Sequence, residues 1–290
     1  MKALIFGVSG QDGYYLSKLL KLNQIEVIGI SRTVEFIKGS VADYYFVESI
    51  IRLNQPDYIF HLAANSTTRH FALFENHETI CTGTLNILES VRLHSPHSKV
   101  FLSGSALQFK NEGSPIHEGV PFEAKSAYSV ARIQSVYASR YYREKFGMKI
   151  YVGYFFNHDS PLRTEQHVNQ KIVRTIQQIN KGSNERLELG NIDVQKEFGF
   201  AGDTVKAIWI LVNQDLVFEA VIGTGKAHSI RDWLVHCFEM TSMNWNDYVV
   251  VKEDFIPEYK ILVSDPKLIK SLGWVPEIGF KQLAELMMLN

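Results

Sequence analysis

Three glycines spaced three apart, Gly7, Gly10 and Gly13, stand near the start of the chain in the string GVSGQDG. An apolar run at residues 3–6 precedes them, and YYLSKLL at 14–20 follows with the pattern of an amphipathic helix. A strand, a glycine turn and a helix in that order aim unpaired helix amides at an anion. Gly7 permits the tight turn, Gly10 lets the backbone approach a pyrophosphate, and Gly13 lets helix and strand pack closely. The string predicts a dinucleotide site, its plain alternative being a structural turn. A second pair suggests proton transfer. Tyr128 and Arg132 lie four apart in a helical stretch and share a face. A fixed cation beside a phenol favours the phenolate, so such a tyrosine can exchange protons near neutrality. Taken alone, that spacing is more often a surface pair. A nucleotide-binding start in the same chain favours the chemical reading.

These residues need a frame, and the chain supplies one. Strand-like runs at 3–6, 26–30, 58–62, 99–103 and 149–156 alternate with helical stretches at 46–53, 79–93 and 127–146. This is the pattern of a parallel sheet with helices on both faces. The later part reads as helices at 168–181, 203–212, 229–241 and 280–288, with a short strand at 185–189. The expectation is an α/β protein: a Rossmann-type doubly wound parallel sheet with a smaller C-terminal α/β substrate domain. Residues 1–156 form the dinucleotide-binding domain, with 197–222 returning to it, and 157–196 with 223–290 form the second domain.

Composition excludes several classes. A 46% apolar and 21% charged chain of 290 residues, with net charge −1, is that of a globular enzyme. It advertises no nucleic-acid or acidic-lipid surface. No apolar stretch approaches the ~20 residues of a membrane span, and the first strand leaves no room for a signal peptide. Cys81 and Cys237 form no metal-type spacing and suit a reducing cytoplasm. His94 and His97 read as surface residues, so no metal is assigned.

Motifs along almost the whole chain resemble the extended short-chain dehydrogenase/reductase superfamily and, within it, the GDP-mannose 4,6-dehydratase family. They are GQDGYYL at 10–16, HLAANS at 61–66, FNHDSP at 156–161, LGNID at 189–193, residues 225–231 and LGW at 272–274. The resemblance implies that Gly7, Gly10, Gln11, Asp12 and Gly13 hold the pyrophosphate. It implies that Leu62, Ala63, Ala64 and Ser66 wall the dinucleotide cleft, with His158 and Arg163 as further contacts. Arg32 follows the second strand, where NAD-preferring relatives place an acid against the ribose 2′-hydroxyl. A cation there suits a 2′-phosphate, so NADP is expected, with NAD as the alternative. An exposed loop arginine is the competing reading of Arg32. On the substrate side the resemblance points to Asn157, Lys171, Lys196 and Glu258 around a nucleotide sugar, GDP-linked in the family. A family arginine falls at Phe255.

The catalytic positions depart from the family. Its threonine falls at Gly104, its glutamate at Ala106 and its lysine at Arg132, while Tyr128 is kept. Ser105, with Ser103 on the other side, is the nearest hydroxyl to the missing one. The glutamate manages proton traffic when the family expels the C6 hydroxyl, and a positioned acid/base is worth roughly 10²–10⁴-fold. Arginine keeps the charge of lysine without its compact geometry. Three functions follow: a GDP-sugar 4,6-dehydratase, a C4 reductase or epimerase of a GDP-keto-sugar, and a weak or inactive NADP-binding paralogue. Only six residues separate Arg32 from Gly39. Relatives carry there a long loop that builds a tetramer, so a homodimer is expected, paired through the helices at 79–93 and 127–146.

Overall fold

The structure, a computed structural model, describes residues 1–33, 35–252 and 254–289. The first half runs β1 (Lys2–Phe6), α1 (Gln11–Leu22), β2 (Glu26–Ser31), β3 (Ile37–Lys38), α2 (Tyr44–Asn54) and β4 (Tyr58–His61). It continues through α3 (Leu73–Asn76), α4 (Gly83–His94), β5 (Lys99–Ser105), α5 (Ala127–Phe146) and β6 (Ile150–Phe155). Then come β7 (His158–Asp159), α6 (Val168–Asn180), β8 (Leu187–Leu189), β9 (Gln195–Glu197), β10 (Gly199–Phe200), α7 (Ala201–Val212) and β11 (Glu219–Ile222). The chain closes with β12 (Ala227–Ser229), α8 (Ile230–Glu239), β13 (Val249–Val251), β14 (Ile261–Leu262), α9 (Lys267–Ser271) and α10 (Phe280–Met288).

Seven parallel strands form one sheet in the order β11-β6-β5-β4-β1-β2-β3. β1 is central, and its last residue Phe6 pairs with Ile30 on one side and His61 on the other. β1, β4, β5 and β6 are buried on both faces, which is why they read as apolar runs rather than alternating ones. One face packs on α2, α4 and α5 through Val47, Ile51, Leu88 and Val136. The other packs on α1 and α7 through Leu16, Leu20, Ile208 and Leu211. A third core joins α6, α8 and α10 around Trp233 and Phe198.

Several boundaries differ from the sequence reading. The helix expected at 79–93 starts six residues earlier, at Leu73, and widens into a π-helical stretch over His77–Thr82 before α4. The seventh strand, β11, was not foreseen: its four residues EAVI carry too short a period to stand out. It pairs with β6, and α7 packs beneath it, so residues 201–222 contribute to the main sheet layer.

Candidate active site

The cofactor side is built on the turn between β1 and α1. Gly7 has φ of +92°, and a Cβ there would lie 2.6 Å from the Ala63 amide nitrogen. A Cβ on Gly13 would run into the Gly7 carbonyl and come within 2.6 Å of Val8 Cα. Gly10 is the N-cap of α1, with no side-chain cap on its first amides. Its Cβ would be 3.4 Å from the Gly7 oxygen, so what keeps this position small faces the open cleft. The uncapped amides at the positive end of α1 form a cradle for an anion.

The side chains of that turn reach across to the segment after β6. Gln11 donates from Nε2 to the His158 carbonyl (3.2 Å) and accepts from Ser160 Oγ (2.9 Å). Asp12 Oδ1 lies 2.9 Å from His158 Nε2. His158 Nδ1 donates to the Phe156 carbonyl at 2.8 Å, so both ring nitrogens face acceptors and the ring is an imidazolium. Burial opposes both charges, yet each holds the other: Asp12 lies below the usual carboxylate range and His158 above the usual imidazole range. Next to them, Arg163 pairs with Asp159 at 3.1 Å. Burial resists the Asp159 charge, but Arg163 and Lys196 keep it below the usual range. Burial and Arg163 push His167 down to about 4.

The catalytic side lies at the carboxyl end of β5 and the start of α5. Ser126 caps α5 through the Ser129 amide, which fixes the turn that carries Tyr128. Tyr128 and Arg132 are both buried, and the guanidinium carbon sits 5.1 Å from the phenol ring centroid. Arg132 also donates to the Ser103 carbonyl and to Ser103 Oγ (2.8 Å), while its Nε is buried without a partner. Ser103 Oγ donates in turn to the His61 carbonyl at 3.0 Å. Burial, and then the charge of Arg132, push His61 down to about 3, so this ring is neutral. Ser105 caps the short turn Ala106–Gln108 by accepting from the Leu107 amide at 3.2 Å.

Gly104 and Ala106 leave space at the end of β5 that their neighbours share. A Cβ on Gly104 would meet Tyr154 Cδ1 at 2.7 Å and Gln108 Oε1 at 3.2 Å. Tyr154 is held there by donating to Glu219 Oε2 at 2.5 Å. Ala106 borders two cavities. One, of about 280 Å³, contains Gly7, Gly10–Gly13, Leu62, Ala64, Ser66, Ser105, Tyr128, Arg132, Asn157, His158 and Arg163 in its walls. The other, of about 620 Å³, runs past Leu107, Phe109, Ile261 and Leu262 to Lys125 and Glu258.

Arg32 lies with Ala63 at a third cavity, of about 280 Å³, at the end of β2. Lys171 and Lys196 are not brought to these cavities. Lys171 donates to the Glu188 carbonyl (2.7 Å), and Lys196 is buried, its ammonium 5.2 Å from the Phe198 ring centroid. Burial brings Lys196 down to about 8. Glu258 accepts from Thr68 Oγ1. Phe255 covers Gly190, whose Cβ would come within 2.5 Å of its ring. Sequence reasoning missed Ser9, Thr33 and Glu75 at this third cavity and Tyr154 beneath Gly104. Ser31 was within reach, because it ends β2.

A seven-stranded parallel sheet, an uncapped glycine turn at its centre and a tyrosine-led helix beside β5 define an extended short-chain dehydrogenase/reductase. The chain belongs to the GDP-mannose 4,6-dehydratase family, whose model, described as "GDP-mannose 4,6 dehydratase", matches residues 4–287. It is 31% identical over 320 residues to GDP-mannose 4,6 dehydratase 1 of Arabidopsis thaliana, covering 98% of this chain and 88% of that one. It is 32% identical over 343 residues to the GDP-mannose 4,6-dehydratase of Yersinia enterocolitica, covering 97% and 91%. Two solved structures share its fold. UDP-glucose 4-epimerase of Thermus thermophilus with NAD matches at TM-score 0.86 and 20% identity, over 99% of this chain and 98% of the other. RMD of Pseudomonas aeruginosa with NADPH matches at 0.87 and 20%, over 99% and 97%.

Proposed function

We propose that the chain is an NADP(H)-dependent enzyme of GDP-linked hexoses that exchanges hydride at C4 and has lost the elimination at C6. The observation that carries this is Ala106. The family's acid/base position is a methyl group set among Leu107, Phe109 and Leu262 at the junction of the two cavities. The neighbouring hydroxyl position, Gly104, is closed by the Tyr154 ring.

The residues fit the cofactor. Gly10 and the uncapped amides of α1 take the pyrophosphate, Leu62, Ala63, Ala64 and Ser66 wall the cleft, and Arg32 reaches the 2′-phosphate. The partnerless Arg132 Nε is a buried donor placed for the nicotinamide ribose. Bound NADPH supplies the hydride, and NAD is the alternative. Tyr128 gives its phenolic proton to the C4 oxygen as the carbonyl is reduced, and takes it back in the reverse direction. Arg132 lies 5.1 Å from the ring centroid and donates to Ser103 on β5, which holds the helix face that carries Tyr128 against the strand. Ser105 orients the C4 oxygen. Asn157 and Glu258 hold the sugar nucleotide between residues 1–156 with 197–222 and residues 157–196 with 223–290. Lys171 and Lys196 supply positive charge behind that site. Exposed Leu85 and Leu93 of α4 and Tyr137 and Tyr141 of α5 suit a homodimer face. Two buried free cysteines suit the cytoplasm.

Family membership over residues 4–287 favours a second reading, a working 4,6-dehydratase. Mass spectrometry separates the two after incubation with GDP-hexoses and their 4-keto-6-deoxy forms plus NADPH. Gain of two hydrogens by the keto-sugar is expected. Loss of one water from the hexose overturns the proposal in favour of the dehydratase. An unchanged mass with an inverted centre by NMR means an epimerase, and no change at all an inactive paralogue; either rejects the reductase. Tyr128→Phe should lower turnover roughly 10²–10⁴-fold while NADPH binding is nearly unchanged.

A further inference from the structure

The cavity at the end of β2 contains two charged side chains in its lining, Arg32 and Glu75. They are paired: Arg32 Nη1 lies 3.1 Å from Glu75 Oε1, with the arginine side chain 80% exposed and the glutamate 40%. The second oxygen, Oε2, accepts from Asn65 Nδ2 at 2.7 Å, which fixes the carboxylate toward the cavity. The Asn65 bond first, and Arg32 after it, keep Glu75 below the usual carboxylate range, so it is ionised at neutral pH. Opposite stands a chain of hydroxyls, Ser9 to Ser31 (2.9 Å) and Ser31 to Thr33 (3.0 Å). These neutral groups serve a ribose hydroxyl or a phosphate equally well.

We propose that Glu75 sets the choice between phosphorylated and plain dinucleotide by competing for Arg32. This rests on the reading of Arg32 as the partner of the adenosine ribose. Glu75 engages Arg32 through Nη1, so a 2′-phosphate must share the guanidinium with the carboxylate or displace it, and either way the dianion meets a neighbouring negative charge. A 2′-hydroxyl meets no such conflict. It donates to the Glu75 carboxylate while Arg32 stays in place. Glu75 is therefore a specificity-determining residue that narrows the NADP preference Arg32 would give alone. The two charges are part-exposed and screened, so the expected effect is modest, about 3- to 10-fold in affinity.

Titration calorimetry of the full chain with NADP⁺ and with NAD⁺ tests this in wild type, Glu75→Gln, Arg32→Ala and the double variant. Glu75→Gln should tighten NADP⁺ by about 3- to 10-fold and leave NAD⁺ equal or weaker. The gain should be smaller in the Arg32→Ala background, where only the repulsion between Glu75 and the phosphate is left to relieve, and should shrink as salt rises. Glu75→Ala carries the same expectation and guards against a fold defect particular to the glutamine. If both Glu75 variants leave NADP⁺ affinity unchanged while Arg32→Ala weakens it, Glu75 is not the selector and the assignment of Arg32 stands. If Arg32→Ala changes neither affinity, the assignment of Arg32 fails, and this proposal with it.

Discussion

The turn after β1 and the end of β5 border one cleft, yet their side chains are committed in opposite ways. In the turn, Gly7 and Gly13 abut backbone atoms, and Gln11 and Asp12 are spent on His158 and Ser160 across the molecule. The turn proposed for the cofactor also fastens the first half of the chain to the second. At the end of β5, Gly104 and Ala106 present no polar side chain, and the space is taken by Tyr154 and by cavity. A catalytic hydroxyl or carboxylate that faces a cleft contributes little packing, so its loss leaves the fold standing. A glycine wedged between backbone segments has no such freedom. On the proposed reading, this is why a cofactor turn can persist beside a catalytic strand that has changed.

The comparison is sharpest at Gly13. Gly13→Ala places a methyl group against the Gly7 carbonyl and Val8, neither of which is a flexible side-chain tip. The expected loss is about 3–5 kcal/mol of unfolding free energy, measured by denaturant titration, with dinucleotide binding lost. A variant as stable as wild type would break the argument that this turn is fixed by packing.

The β5 end offers the middle-sized effect. Gly104→Thr, which restores the family hydroxyl, should destabilise by about 1–3 kcal/mol because Tyr154 must move. In a Tyr154→Leu background the same substitution should be milder, with a coupling energy of about 1 kcal/mol in a double-mutant cycle. Strict additivity would mean that the ring does not close the threonine position.

Asp12→Asn is the smallest test and has a pH signature. Its expected cost at neutral pH is about 1–2 kcal/mol, because the amide can still accept from His158 Nε2 but no longer supplies the charge that faces the buried ring. Asp12 is lowered from 3.8, so its contribution is present above that value and lost as pH falls through the folded value. His158 is raised from 6.5, so its contribution is full below that value and lost as pH rises through the folded value. Wild type and variant should thus differ most near pH 4–6.5 and converge on either side. Melting temperatures across that range decide it, and a pH-independent difference would remove the ion pair from the explanation.

Much of this was legible in sequence where local pattern carries the information. The strands that became β1, β2, β4, β5 and β6 announced themselves as apolar runs, and the glycine turn by its spacing between strand and helix. β11 did not, since four residues are too short a run to separate a strand from a loop by period. Tyr128 and Arg132 could be placed on one helical face from their spacing. That Arg132 would also reach Ser103 on β5 could not, because strand and helix meet only in the folded layer. The substrate lysines show the limit of matching by position: Lys196 stands in β9 but is buried beneath Asp159 and Arg163.

By itself the sequence determined the class of fold, the glycine turn between the first strand and helix, and the placing of Tyr128 and Arg132 on one helical face. These depend on residue type, period and order, all of which are local. Tertiary structure alone decided that Tyr154 closes Gly104, that Asp12 finds His158 at a separation of 146 residues, and that Glu75 holds Arg32 at a separation of 43. Such pairs form because packing of the sheet against its helices brings distant side chains within Coulomb and van der Waals range, which no spacing along the chain encodes.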